Sequence, residues 1–348
     1  MKRVLKQAAL RFPLLGAIVR KRNSFRLGFR TLLSLLSGYS TSARLIALRR
    51  DIEQLLRLSP LFVAQDRQSF FEASNRAQWS RAAQRCAEIL QTHKEDAFHL
   101  RRFCLCCNEA TPMLVDYESG RLEQDGSRTP NWRERLVCTQ CMMNNRQRLV
   151  AKLVQQASSQ SAHPRIYLME QVTPIFEWVR NLPGTEVQGS EYLGYEYKGG
   201  EQIHGVRHED VMNLSFPDES FDLIVSNDVL EHIPDPQKAM RECFRVVKQG
   251  GGVLATFPFH AAYDTTTVRA RLVGSGIEHL LPPQYHGNPV SSDGSLVFHD
   301  FGWDLLDLMR GAGFTSVACE VYANDEFGHL GTGLLVFRLS RPLSIASK

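Results

Sequence analysis

Four cysteines in two Cys-x-x-Cys steps, Cys104 with Cys107 and Cys138 with Cys141, have the spacing that speaks most directly of chemistry. Two such steps brought face to face offer four thiolates in a tetrahedron, the donor set of a structural zinc, and they leave no coordination position open. Cys106 is a spare thiol that could replace Cys104 or Cys107. The plainer alternative is a group of reduced core cysteines. Of the eight cysteines, five fall between residues 104 and 141. That clustering is unlike a disulfide framework and suits a metal site in a reducing compartment.

The elements that must hold these residues divide the chain into three stretches. Residues 1–102 read as a basic helical N-terminal region. Pro13 interrupts the arm over residues 1–57, and Phe70, Phe71, Trp79, Cys86, Ile89 and Leu90 recur at roughly helical spacing further on. Residues 103–150 form the cysteine module. Residues 151–164, rich in Gln and Ser, read as a linker. From 163 to 340 strands and helices alternate. Strands are expected over 166–169, 186–189, 221–226, 253–257, 316–322 and 333–339, and helices over 174–182, 235–247 and 303–310. Asp235 is placed to cap the second of these helices, Pro236 to open it, and Gly250, Gly251 and Gly252 to end it. Such alternation predicts an α/β, doubly wound, mostly parallel sheet with an antiparallel last strand.

Within that domain the run from Asp210 to Asp222 contains Phe216-Pro217-Asp218-Glu219-Ser220-Phe221-Asp222. Asn227-Asp228-Val229-Leu230-Glu231-His232 follows, then Arg245-Val246-Val247-Lys248-Gln249-Gly250-Gly251. This ordered string resembles the Rossmann-like class I S-adenosylmethionine-dependent methyltransferases of the small-molecule type, densely over about ninety residues. The resemblance implies S-adenosylmethionine at the carboxyl ends of the parallel strands. Glu191 would then accept from the ribose hydroxyls and Asp210 from the adenine amino group, with the Val211 amide meeting a ring nitrogen. Glu170, Asn227 and Asp228 complete the cofactor set. One departure stands out. Where the family carries glycines after its first strand, this chain reads Met169-Glu170-Gln171-Val172-Thr173-Pro174. Either the loop takes another path, with Gln171 and Thr173 supplying polar contacts, or cofactor binding is weakened.

Methyl transfer needs an aligned acceptor and, for hydroxyl or amine acceptors, a base. His232, His260 and His299 are the candidate bases, and His286 lies in the same long insert over 261–297, which is expected to form the acceptor pocket or a lid. Each histidine has a structural alternative: closing a turn, or pairing with Asp300 or Glu278.

Charge is uneven. Residues 1–50 contain twelve Lys or Arg and no Asp or Glu, against a net charge of +4 for all 348 residues. The arm is therefore expected either to touch a membrane surface or another anionic partner, or to pack on the protein's own body with its arginines solvated. No apolar run is long enough to span a bilayer, so a cytoplasmic chain, peripheral to the membrane through its arm, is expected. The acceptor is expected to be a small molecule or a glycan or lipid-linked intermediate. A nucleic-acid partner is not expected, and Arg146, Arg148 and Lys152 read as a solvated helix face. Two other readings stay open: a degenerate methyltransferase fold serving in binding or regulation, and an RNA methyltransferase docking through its zinc module.

Overall fold

The computed structural model describes residues 56–343 other than 76, 160 and 275. All but the last two residues of the basic arm over 1–57 lie outside the described residues. Contacts group the chain into two units, and the grouping is not linear. One unit is residues 1–59, 85–148 and 324–331; the other is 60–84, 149–323 and 332–348. The division into 1–102, 103–150 and 163–340 therefore differs from the contact-based one.

The larger unit carries an α/β, Rossmann-like sheet of seven strands. Their order is Phe62–Ala64, Ser316–Asn324, His329–Ser340, Val247–Thr256, Phe221–Asn227, Arg165–Leu168 and Glu186–Gly189. The last four run parallel, with Ile224 opposite Val253, Leu223 opposite Ile166, and Ile166 opposite Val187. His329–Ser340 pairs antiparallel to Val247–Thr256. The central strand is apolar without alternation, Leu223, Ile224 and Val225 all being buried, as a parallel strand covered on both faces must be. A fifth parallel strand is reduced to one bridge between Glu191 and His208, preceded by the two-residue ribbon of Gln202–Ile203 with Val206–Arg207. At the opposite edge Phe62–Ala64 pairs antiparallel with Ser316–Asn324, and the Phe62 ring lies 5.6 Å from those of Phe70 and Trp79.

Helix Pro236–Val246 begins as its residues suggest: the Asp235 side chain accepts from the Lys238 amide at 3.0 Å and Pro236 opens the first turn. Its end corrects the expectation. Val247 is already extended, and Gly250–Gly252 lie within strand Val247–Thr256. They are small because neighbouring chain comes close: a Cβ on Gly252 would sit 2.5 Å from the Leu339 carbonyl oxygen, and one on Gly251 2.7 Å from that of Asp222. Arg341 Nη1 satisfies the carbonyls of Phe244 and Val247 at the helix end.

Other expectations are corrected too. Residues 60–102 are not all helical. Helices Arg67–Ser74 and Ala77–Thr92 are flanked by strands Phe62–Ala64 and Ala97–Cys104. The supposed linker is largely helix Asn145–Ser158, whose Leu149, Val150, Ala151, Leu153 and Val154 recur at helical spacing and are buried. The insert over 261–297 is built of short antiparallel pairs, Ala270–Val273 with Gly276–His279 and Tyr285–Asn288 with Ser291–Leu296.

In the smaller unit Ala97–Cys104, Glu109–Asp116 and Val137–Cys138 form a three-stranded antiparallel sheet over a core that includes Phe98, Leu100, Met113, Val115, Trp132 and Leu136. Arg146 and Arg148 are buried here and do not line a solvated face. Arg146 grips Glu134 through two hydrogen bonds of 2.8 and 3.0 Å. Arg148 donates to the carbonyls of Phe327, Leu136 and Gly328. These acceptors offset most of the cost of burying the Arg148 guanidinium, whose Nε alone finds no acceptor among the described residues.

Candidate active site and metal centre

The parallel strands deliver Glu170, Glu191, Asn227 and Asp228 to their carboxyl ends. The Glu170 carboxylate accepts from Asn227 Nδ2 at 2.5 Å and from Thr173 Oγ1 at 2.6 Å. Thr173 in turn caps helix Pro174–Arg180, with Pro174 in its first turn. The loop between them takes another path from a glycine loop, and Glu191 holds it there. Its Oε1 accepts from both the Gln171 and Val172 amides, at 2.7 and 3.1 Å. The Gln171 side chain donates to the Gly205 carbonyl and accepts from the Arg207 amide. The Val172 side chain is turned outward, 43% exposed, so its bulk does not fill the loop. Gln171 and Thr173 thus contact protein.

The need for a bare backbone has moved to Gly189. A Cβ there would lie 2.4 Å from the Phe176 ring and 2.7 Å from the Glu170 carbonyl oxygen. Gly189→Ala is therefore expected to lower unfolding stability by about 1–3 kcal/mol, the usual range for overpacking. Urea melts of the full chain with an unchanged midpoint would contradict this.

Glu191 is buried, and burial pushes its carboxyl above the usual carboxylate range, with the charge of Glu170 adding to the rise, although the two amides pull the other way. It forms no ion pair among the described residues, and its Oε2 makes no hydrogen bond there. Asp210 Oδ1 accepts from the Met212 amide at 2.8 Å, closing a turn, and the adjacent Val211 is buried. Nothing in the structure joins Asp210 or Val211 directly to Glu170 or Glu191. Asp228 takes a left-handed φ of 53°, which Asp tolerates better than most residues, and its amide donates to the Thr256 carbonyl. The Thr256 hydroxyl lies 3.2 Å from both Asn227 Oδ1 and Asp228 Oδ1, tying two strand ends together. Residue patterning missed Thr256. It also missed buried Glu209, which pairs with Arg207 at 2.7 Å and accepts from Ser215.

The three candidate bases are not brought together. His260 is exposed and stacks on Tyr263. His299 is buried parallel to the Phe301 ring, and burial lowers its pKa. His232 lies in the turn Leu230–His232 just beyond strand Phe221–Asn227, beside Glu231 and His286.

The four cysteines do converge. The sulfurs of Cys104, Cys107, Cys138 and Cys141 lie within 4.8 Å of one another, with Cys104–Cys141 at 3.9 Å and Cys107–Cys138 at 3.7 Å. Zinc–sulfur bonds of about 2.3 Å give a tetrahedron with edges of about 3.8 Å, so the donor set fits that ion. Cys106 is not one of the four converging thiols, and its own thiol donates to the Arg148 carbonyl. Each knuckle turns through a left-handed residue immediately after its second cysteine, Asn108 with φ 56° and Met142 with φ 58°. Glycine is usual in such conformations, so residue type alone did not reveal these turns. Hydrogen bonds from Cys106 and the other three thiols hold Cys104 far below the ordinary thiol range, while hydrogen bonding to that thiolate pushes Cys107 and Cys141 up.

Residues 190–255 match the methyltransferase domain family. The matched stretch holds Glu191, Asp210, Val211, Asn227 and Asp228. Among curated relatives, the sterol 24-C-methyltransferase ERG6A of Gibberella zeae is 32% identical over 137 residues, which is 37% of this chain and 34% of that protein. The demethylmenaquinone methyltransferase of Anoxybacillus flavithermus is 25% identical over 173 residues, 43% of this chain and 68% of that protein. The chain thus spans about a third of the sterol enzyme's own length. A solved S-adenosylmethionine-dependent methyltransferase from Mesorhizobium loti aligns with 54% of this chain and 96% of its own at 15% identity, with a TM-score of 0.35.

Proposed function

We propose that this chain is an S-adenosylmethionine-dependent methyltransferase acting on a small molecule or on a glycan or lipid-linked intermediate, with structural zinc held by Cys104, Cys107, Cys138 and Cys141. The observation that carries the enzymatic reading is Glu191. It is a buried carboxylate at the carboxyl end of strand Glu186–Gly189, anchored through one oxygen, with the other left to accept from a ribose hydroxyl. The family match over residues 190–255 supports the same reading.

Bound S-adenosylmethionine would supply an electrophilic methyl group on a sulfonium centre. The protein's part is to place the reactants. Asp210 and the Val211 amide would orient the adenine, and Glu191 the ribose. Glu170, fixed between Asn227 and Thr173, lends negative charge where a cationic ligand is to sit. The insert over 261–297 would enclose the acceptor. The apolar side chains it exposes, among them Leu272, Ile277, Leu281 and Tyr285, favour an acceptor with a substantial apolar part. Residues 1–57 would bring the protein to a membrane surface in the cytoplasm.

Calorimetric titration of the full chain with S-adenosylmethionine tests this. Micromolar affinity is expected, weakened about tenfold or more in Asp210→Ala by loss of a charged hydrogen bond. Absence of binding to a folded chain would overturn the enzymatic reading in favour of a binding or regulatory role.

A further inference from the structure

Glu231 is the most anomalous charged group in the larger unit. It is fully buried, and among the described residues neither carboxylate oxygen has a hydrogen-bond partner. An ionised carboxylate is not left bare in a protein interior; it is neutralised, paired with a cation or bound to a metal. Two imidazoles face it. His232 Nε2 is 3.6 Å from Glu231 Oε1, and His286 Nδ1 is 3.7 Å from the same oxygen. These separations are too long for hydrogen bonds, which for N–H···O run to about 3.2 Å. They are close to the roughly 3.4 Å that separates two ligand atoms on one tetrahedral ion bound at about 2.0–2.1 Å.

The tautomers agree with a shared ion. His232 Nδ1 lies 2.8 Å from the Leu296 carbonyl oxygen, which can only accept, so the ring proton sits on Nδ1 and Nε2 turns a lone pair toward Glu231. A backbone carbonyl on the far nitrogen is the usual support of a metal-binding histidine. His286 Nε2 is 3.3 Å from Gln284 Nε2, and the oxygen and nitrogen of that amide are interchangeable by a half-turn. With the amide oxygen turned toward the ring, His286 Nε2 carries the proton and Nδ1 is free to ligate.

We propose that Glu231, His232 and His286 form a second metal site, for a divalent ion of the zinc and cobalt class. It is separate from the cysteine cluster and stands whether or not S-adenosylmethionine binds. Two imidazoles and one carboxylate select such ions over calcium or magnesium. Three protein ligands leave a further position for water or another oxygen donor, unlike the closed cysteine set. The ligands come from two places in the chain: Glu231 and His232 from the turn after strand Phe221–Asn227, and His286 from strand Tyr285–Asn288 of the insert. Binding would tie that ribbon to the sheet end.

Cobalt(II) titrated into the full zinc-loaded chain provides the test. One additional equivalent is expected, with weak visible bands and without the intense near-ultraviolet absorption of cobalt–thiolate bonds. Glu231→Gln and His286→Ala should each weaken that binding by about tenfold or more. His286 is only half-buried, so its variant is expected to fold and keeps the test decisive. Uptake of no extra equivalent, bands of thiolate type alone, or unchanged affinity in His286→Ala would overturn the proposal.

Discussion

Cys138→Ser is expected to release zinc and to unfold the three-stranded sheet of the smaller unit. The reason lies in how little else holds that region in shape. Strand Val137–Cys138 is two residues long, and two non-glycine residues, Asn108 and Met142, are held in left-handed turns beside the thiols. Cys104 and Cys138 are fully buried within the same core as Met113, Val115, Trp132 and Leu136. Four thiols crowded to within 4.8 Å repel one another once ionised, and a dication reverses the sign of that interaction. Structural zinc contributes on the order of 10–16 kcal/mol in small metal-dependent folds, more than most domains possess in total. Metal analysis should find zinc in the purified wild type and little in the variant. Limited proteolysis should cut the variant within residues 97–141 while leaving the larger unit. A wild-type chain free of metal, or a variant as resistant as its parent, would sink the assignment.

Glu191→Gln is expected to separate stability from binding. Because the folded carboxyl titrates above its ordinary value, the proton-bound form is the one the fold favours. The stability tied to that proton is complete below the unfolded pKa and is lost as pH rises through the folded one. Above that folded-state value the wild type holds an ionised carboxylate that its surroundings disfavour. Glutamine removes the charge and keeps an oxygen for the Gln171 and Val172 amides. The variant should melt at or above the wild-type temperature at pH 8, with the difference shrinking toward pH 4.5. The same change should weaken S-adenosylmethionine by roughly 10- to 100-fold, the worth of a charge-assisted hydrogen bond. A variant that melts lower at pH 8, or binds as tightly, would refute the role given to Glu191.

What the residues revealed before the fold was known follows from how each contact is encoded. The strand over 221–226, which extends one residue further in the fold, the Asp235 cap and Pro236 are local signals and could be read directly. So could the cysteine spacing, because a knuckle is itself local. The parallel strand reduced to the bridge at His208 was invisible for a different reason. Its place is taken by His208 and Glu209, which are buried through a ring nitrogen accepting from the Leu193 amide and an ion pair with Arg207, with no apolar run to mark them. Arg148 looked solvated because nothing near it in sequence announces the carbonyls of Phe327 and Gly328 that receive it. Strand Ala97–Cys104 could have been found, since Phe98 and Leu100 alternate inward, but the helical pattern before it masked the change of period. The loop over 170–174 had to be seen. That Glu191 would replace a glycine-shaped backbone contact with two amide hydrogen bonds is a long-range fact.

The three-residue strand Phe62–Ala64 has a practical consequence. It lies along the outer side of Ser316–Asn324, and Phe62, Ala64, Phe70 and Ala73 belong to the same core as Tyr167, Ile224 and Phe337. A fragment begun at residue 163, where the alternating pattern starts, would strip that cover and leave a nine-residue strand with an open row of amides and carbonyls. Bare edges of that kind recruit other chains. Such a fragment should aggregate through sheet-to-sheet pairing, and solubility should return once residues 60–84 are supplied, even as a separate peptide.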